Sequence, residues 1–492
     1  MTHPRNFRSL LSIAVLLGSV AAMLVAPAGA SAIMVGMEST HELVNTTQSN
    51  EQREHALDLM KEQGVQVVRA NWRWYEVAAG CGGQSTTALS DPDNACYDWS
   101  RLDNLVESAT DRKMQVLLSI QQNPEWANHS ATNRYYMGGT QTQFNFVKAH
   151  FAAFYGAAAK RYNGYNGHGL VRYWTVHNEP NSKVYWGSTP NPARYAQLYG
   201  ATARAIKAVN TRALIAPGPT GPTGGRGGMQ PVLFIKAFQR NVTKYLPGSM
   251  ANKRRFINAW AHNPYPNFQK QPSFYDPRRQ NRNSITMGTI DKLFQTLDAS
   301  PITRRTKVWA TEFGWETRPE RVTYTTSARQ AQFIAEAFDW LDSKRLGRIG
   351  RVQIGVQYGL SDPETLTGDW QSGTLLNNGV TKKPSFFMFQ RMISVPQAGL
   401  SGLVRANTKL RVWGRSNVNP SGTQLAYRIL GQKCRSNAAV GAYCQLRGQR
   451  AVIGTPGAKY GYLMVRRGQR IDFRVYDTVS KSYGPPRRVT VR

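Results

Sequence analysis

The chain has 492 residues, of which 41% are hydrophobic and 12 are Trp. That excludes a disordered or low-complexity protein and leaves room for two domains. Its 62 Lys and Arg outnumber 29 Asp and Glu for a formal net charge of +33, and four cysteines with no Cys-x-x-Cys spacing exclude a zinc cluster, so no metal is expected.

Residues 1–32 read as a secretory leader. Arg5 and Arg8 form a basic start, an apolar run covers 10–25, and Ala28-Gly29-Ala30 or Ala30-Ser31-Ala32 offers a small-residue cleavage site. The expectation is a secreted, extracellular chain with no transmembrane segment once the leader is removed. Four cysteines allow three connectivities, and an exported chain favours the local disulfides Cys81 with Cys96 and Cys434 with Cys444.

From residue 33 to about 395, short apolar runs alternate with longer segments of helical period. The runs at 33–37, 65–71, 114–120, 171–177, 213–217, 256–262, 307–312 and 352–358 have the length and composition of strands buried on both faces. The segments 51–61, 100–112, 141–162, 192–210, 230–242, 286–299, 327–344 and 383–392 carry apolar residues three and four apart, as in Phe144, Val147, Phe151, Phe154 and Tyr155. Eight strands each followed by a helix predict a (β/α)8 TIM barrel, an α/β fold, over 33–395. The glycine run at 224–228 lacks a following Lys-Ser/Thr and reads as a loop rather than a phosphate cradle.

Beyond residue 396 the pattern changes to short alternating runs at 410–413, 424–429, 462–465, 471–476 and 488–491, separated by Gly, Pro, Ser and Asn. This predicts a small antiparallel β-sandwich over 396–492. Residues 401–492 hold 18 Lys and Arg and only Asp472 and Asp477, so this unit is the more basic one. In an exported chain an anionic wall polymer or acidic glycan fits that charge better than nucleic acid, and solvated arginines without a partner are the plain alternative.

Two glutamates stand where an apolar run opens into a turn, Glu179 after 171–177 and Glu312 in Thr311-Glu312-Phe313-Gly314-Trp315. A carboxylate at such a point is rigid, partly desolvated and within reach of substrate, and two of them suggest the paired carboxylates of glycoside hydrolysis. A barrel gathers the C-terminal ends of its strands on one face, which puts the fourth and seventh strands at one rim. Loop aromatics, chiefly Trp126, Trp186 and Trp315, are candidate platforms for sugar faces.

Asn178-Glu179-Pro180 after an aromatic-bearing strand, with Thr311-Glu312-Phe313-Gly314-Trp315 three strands later, resembles the clan A retaining glycoside hydrolases, nearest to cellulase-like and β-xylosidase- or iduronidase-like members. The resemblance covers roughly 33–395. It implies a carbohydrate substrate, no cofactor, Glu179 as general acid/base, Glu312 as nucleophile about 5–5.5 Å away, and Asn178 on the sugar 2-hydroxyl. It also implies Arg69 as the cation beside the nucleophile, and His262 and Tyr265 as pocket groups, with Tyr265 donating to Glu312. His177 and the Gln357-Tyr358 pair depart from the clan's usual aromatics at those places. A non-catalytic glycan-binding barrel and a transglycosylase using the same residues are the alternatives to a secreted hydrolase.

Overall fold

The computed structural model describes residues 33–266, 281–319, 324–342, 350–364, 370–399, 401–434, 439–452 and 455–492. The leader at 1–32 and the end of the helix expected over 327–344 lie outside them. Eight strands form one sheet: β1 (Met34–Glu38), β2 (Val67–Arg73), β3 (Gln115–Gln121), β4 (Val171–Val176), β5 (Leu214–Pro217), β6 (Ala259–His262), β7 (Lys307–Phe313) and β8 (Val352–Tyr358). Their order is β5-β4-β3-β2-β1-β8-β7-β6, with parallel pairing along it, and Glu38 lies beside Arg69 on one side and Tyr358 on the other. Backbone bonds from Asn258 N to Ile215 O (2.9 Å) and from Thr220 N to Ala261 O (3.2 Å) join β6 to β5 and bring the sheet round to a near-closed barrel.

The helices between the strands begin where the sequence supplies caps. Ser49 with Gln52 and Thr140 with Gln143 form capping boxes, and Asn191 accepts from the helix start at Pro192. Successive strand side chains point to opposite faces. One set, including Val68, Ala70, Val116, Leu118, Trp174, Trp260 and Val308, joins the large core under the helices. The alternate set, Val67, Leu117, Tyr173, Ala216, Ala259, Ala261, Trp309, Ile354 and Val356, forms a separate cluster that fills the barrel. This second row matters for chemistry, because continuing it by two residues along each strand reaches the open end.

The C-terminal part is built from antiparallel strands. One sheet contains β9 (Arg391–Ser394), β11 (Lys409–Ser416), β15 (Arg450–Ala451) and β16 (Ala458–Met464). The other runs β10-β19-β17-β12-β14-β13, from β10 (Leu403–Val404), β12 (Thr423–Ile429), β13 (Ala439–Val440), β14 (Tyr443–Gln445), β17 (Arg470–Asp477) and β19 (Arg487–Val491), with β18 (Ser482–Tyr483) on β17. Among the described residues there, β10 pairs with β19 in parallel. The expected helix over 383–392 is a correction: Pro384–Gln390 is helical, but the chain then turns into β9, whose pairing with β11 outweighs the local helical period. Both local disulfides are present.

The C-terminal unit docks on helix Ser327–Asp342 through acids three residues apart on one face. Asp339 accepts from Arg411 (2.7 and 2.9 Å) and from the Ser394 hydroxyl (2.9 Å), Glu336 faces Arg487 (3.8 Å), and Asp342 accepts from Thr455. Burial raises the carboxyl of Glu336 to about 7 and that of Asp342 to about 6, each opposed by its arginine neighbour. Asp339→Ala, which strands Arg411 at this contact, is expected to lower unfolding free energy by roughly 3 kcal/mol in denaturant titration. Asp339→Asn, which keeps the serine bond but loses the charge, should lose less; no loss at all in Asp339→Asn would mean that the charge pair contributes nothing.

Candidate active site

The barrel-filling row turns polar at the C-terminal ends of the strands. Val67 leads to Arg69 and Asn71, Leu117 to Ser119, Tyr173 to Thr175, Ala261 to Asn263, and Val356 to Tyr358. On β1 the same step runs from Met34 through Gly36 to Glu38. Gly36 is required there, since a Cβ would lie 2.9 Å from Val356. On β7 the pairing with β8 is irregular between Ala310 and Phe313, so consecutive residues Thr311 and Glu312 both reach inward groups.

Arg69 is fully buried and binds groups from four strands or strand ends. Nη1 donates to Glu38 Oε2 (2.5 Å) and to Glu312 Oε1; Nη2 donates to Asn71 Oδ1 (2.8 Å) and Asn178 Oδ1 (3.0 Å). Burial alone would push the arginine pKa down, but the charges of Glu38 and then Glu312 outweigh it and hold the guanidinium above its ordinary range. Glu312 Oε2 accepts from the Tyr265 hydroxyl (3.1 Å). Burial, followed by the charge of Glu312, keeps that phenol protonated and therefore a donor.

Glu179 sits in a turn with two left-handed residues, His177 at φ 67° and Glu179 itself at φ 40°. Non-glycine residues occupy that region at a cost, and here the turn carries both Asn178 and Glu179 into the barrel mouth. Asn263 Nδ2 donates to Glu179 Oε1 (2.9 Å), while Asn263 Oδ1 accepts from the Thr311 hydroxyl (2.8 Å), so one amide ties the neighbour of Glu312 to Glu179. Gly221 packs against the carboxylate; a Cβ there would lie 2.6 Å from Oε2. Burial, and next the negative charge of Glu312, raise Glu179 to about 7, against the pull of Asn263 and Arg69. The site therefore pairs a carboxyl group that holds a proton near neutrality with a second carboxylate bound to a guanidinium.

Arg69, Asn178, Glu179, Tyr265 and Glu312 thus come together, while other expected residues do not. His262 is a correction: its nitrogens face the Thr220 hydroxyl (2.8 Å) and Ile285 O (3.0 Å), burial lowers it to about 4, and it touches neither glutamate. Trp186 and Trp315 are likewise corrections as platforms. Each is 2% exposed, the first packed on His177 and Tyr195, the second on Phe313 and Phe333. Trp126 is half-buried, with its ring nitrogen donating to Ala78 O and its ring edge on Trp74. The aromatics nearer the pair are Trp370, stacked on Tyr265 at 5.6 Å and 21°, and half-buried Tyr185, whose phenol feels Glu179 and Glu312. Glu38, Asn71 and Asn263 escaped the sequence reading, although the two-residue inward step points at all three. Among the described residues the group closest to a metal-ligand set is Asp103, Glu107 and His168, and there Arg161 already binds both oxygens of Asp103.

The sequence model of the cellulase family, glycosyl hydrolase family 5, matches residues 27–349. A comparison with curated proteins finds no match. Solved structures of similar fold include a family 39 glycoside hydrolase from Bacteroides cellulosilyticus WH2, with 14% identity and TM-score 0.53 over 88% of this chain and 81% of that one. A glucosidase from Croceicoccus marinus has 15% identity and TM-score 0.51, covering 78% and 75%. A monomeric β-xylosidase from Caulobacter crescentus CB15 has 16% identity and TM-score 0.50, covering 83% and 76%.

Titration of the Glu179 carboxyl, followed by carbon NMR on labelled protein, should centre near 7. Asn263→Ala removes a donor to the ionised form and is expected to move that titration up by about one pH unit. An unmoved titration would mean that the amide does not hold the carboxylate.

Proposed function

The chain belongs to the cellulase family, glycosyl hydrolase family 5, and is a glycosidase; from that premise we propose a secreted retaining enzyme that cleaves a poly- or oligosaccharide by double displacement. The observation that carries this reading is the unequal pair, Glu179 protonated to about 7 beside Glu312 on Arg69. In the first step a Glu312 oxygen attacks the anomeric carbon, the bond to the leaving oxygen breaks, and Glu179 gives that oxygen its proton. In the second, Glu179 as carboxylate takes a proton from water, the resulting nucleophile attacks the same carbon, and Glu312 leaves.

Each neighbour has a task in that scheme. Arg69 and Tyr265 bind one oxygen each of Glu312 and hold it aimed, so little reorganisation is needed at the moment of attack. Asn178, oriented by Arg69 at its oxygen, has its amide N–H groups left to meet the sugar 2-hydroxyl. Trp370 and Tyr185 offer aromatic surface at the mouth for the sugar ring. Because the β-xylosidase and the glucosidase share this fold, xylosides and glucosides are the first substrates to try.

Secretion is supported by the leader-like residues 1–32 and by two disulfides, which persist in oxidising compartments. In this reading residues 33–395 form the catalytic unit and 396–492 an accessory unit. Its charge fits an anionic wall polymer or acidic glycan, held by contacts that weaken as salt rises.

On an aryl glycoside that the wild type hydrolyses, Glu312→Ala should lose at least about a thousandfold in kcat. Glu179→Ala should lose about a hundred- to ten-thousandfold, less with a good leaving group, and recover rate with azide. The descending limb of kcat/KM should fall near pH 7, where Glu179 loses its proton. Full activity in the Glu312 variant would end this reading.

A further inference from the structure

Glu38 is 1% exposed, lies at the end of β1 beside Arg69, and has no part in the double displacement as written above. We propose that Glu38 is a positioning residue that draws part of the Arg69 guanidinium away from Glu312, leaving that carboxylate reactive and helping Glu179 to keep its proton. This rests on the roles given to Glu312 and Glu179.

The geometry carries it. An arginine binds a carboxylate most tightly with two parallel N–H donors. Here both carboxylates lean on the same nitrogen, Nη1, while Nη2 is taken by the amide oxygens of Asn71 and Asn178. Asn71 repeats the division, with Nδ2 donating to Glu38 Oε1 (2.9 Å) and more distantly to Glu312 Oε1 (3.3 Å). Glu38 is itself fixed by the Thr40 hydroxyl (3.1 Å) and by Gly359 N, which bonds its carbonyl (2.8 Å). A carboxylate matched by a whole guanidinium is a more stable anion and a poorer nucleophile than one sharing it.

Among the described residues, the charged and titratable groups around this centre are Glu38 from β1, Arg69 from β2, Glu179 and Tyr185 after β4, Tyr265 after β6, Glu312 from β7 and Tyr358 from β8. Arg69 is the cation of this group, and its field lowers the proton affinity of Glu179. Cancelling the charge of Glu38 leaves that field less opposed.

The test compares wild type, Glu38→Gln and Glu38→Asp on an activated aryl glycoside across pH, with melting temperatures. Glu38→Gln should lower kcat about tenfold with KM little changed, and move the descending limb of kcat/KM down by roughly half to one pH unit. Its melting temperature should hold, because a net negative cluster loses one charge. Glu38→Asp, which keeps the charge, should restore the limb. An unmoved limb in Glu38→Gln, with or without a lower melting temperature, would reduce Glu38 to a structural clamp and overturn the proposal. Labelling by an activated fluorosugar separates this from the reading beneath it. Label on Glu312 in wild type keeps the nucleophile assignment whatever Glu38 does, and label elsewhere removes it.

Discussion

A single buried guanidinium organises this protein. Arg69 is taken fully out of water, which is tolerable only because carboxylates and amides from β1, β2, the turn after β4 and β7 surround it. Two of these carboxylates, Glu38 and Glu312, share the one guanidinium. A third carboxyl in the same space, Glu179, is discouraged from ionising by its burial first and by the charge of Glu312 next. The asymmetry between the two glutamates that acid/base chemistry needs thus follows from the burial of Glu179 and from the guanidinium bound to Glu312.

The scaffold explains why those partners meet. Inward residues alternate along each strand, apolar where the barrel is filled and polar where it opens. Two departures adjust the aim: the irregular pairing at the end of β7 turns Glu312 in, and the left-handed turn at His177 and Glu179 carries the Glu179 carboxyl across. Glu179 then closes on Asn263 and on the bare backbone at Gly221. On the far side, the acids of helix Ser327–Asp342 bind arginines of the C-terminal sheets, so part of that unit's basic charge is used internally. What remains exposed, including Lys409, Arg450 and Arg470, is available to solvent or to a polyanion.

Much of this was legible in the sequence. All eight barrel strands announce themselves because strands buried on both faces read as unbroken apolar runs; Glu179, Glu312 and Tyr265 stand at or just past strand ends, while Arg69 lies within β2. The failures have physical causes. His262 and Asn263 are adjacent, and the residue type favoured the histidine, whereas the two-residue step from Ala259 through Ala261 selects the asparagine. Trp186 and Trp315 are large apolar side chains, and burial claimed them before any ligand could. Glu38 carries no local motif at all; its meaning comes only from lying beside Arg69 in the closed sheet.

Attack on the sugar by Glu312, with Glu179 managing the proton, requires two inversions at one carbon. Proton NMR of the first sugar released from a β-glycoside tests this directly, before mutarotation scrambles the anomers. With two inversions the β-anomer appears first and the α-anomer grows in later. Initial release of the α-anomer would mean a single displacement by water, and the assignment of Glu312 as nucleophile would be wrong.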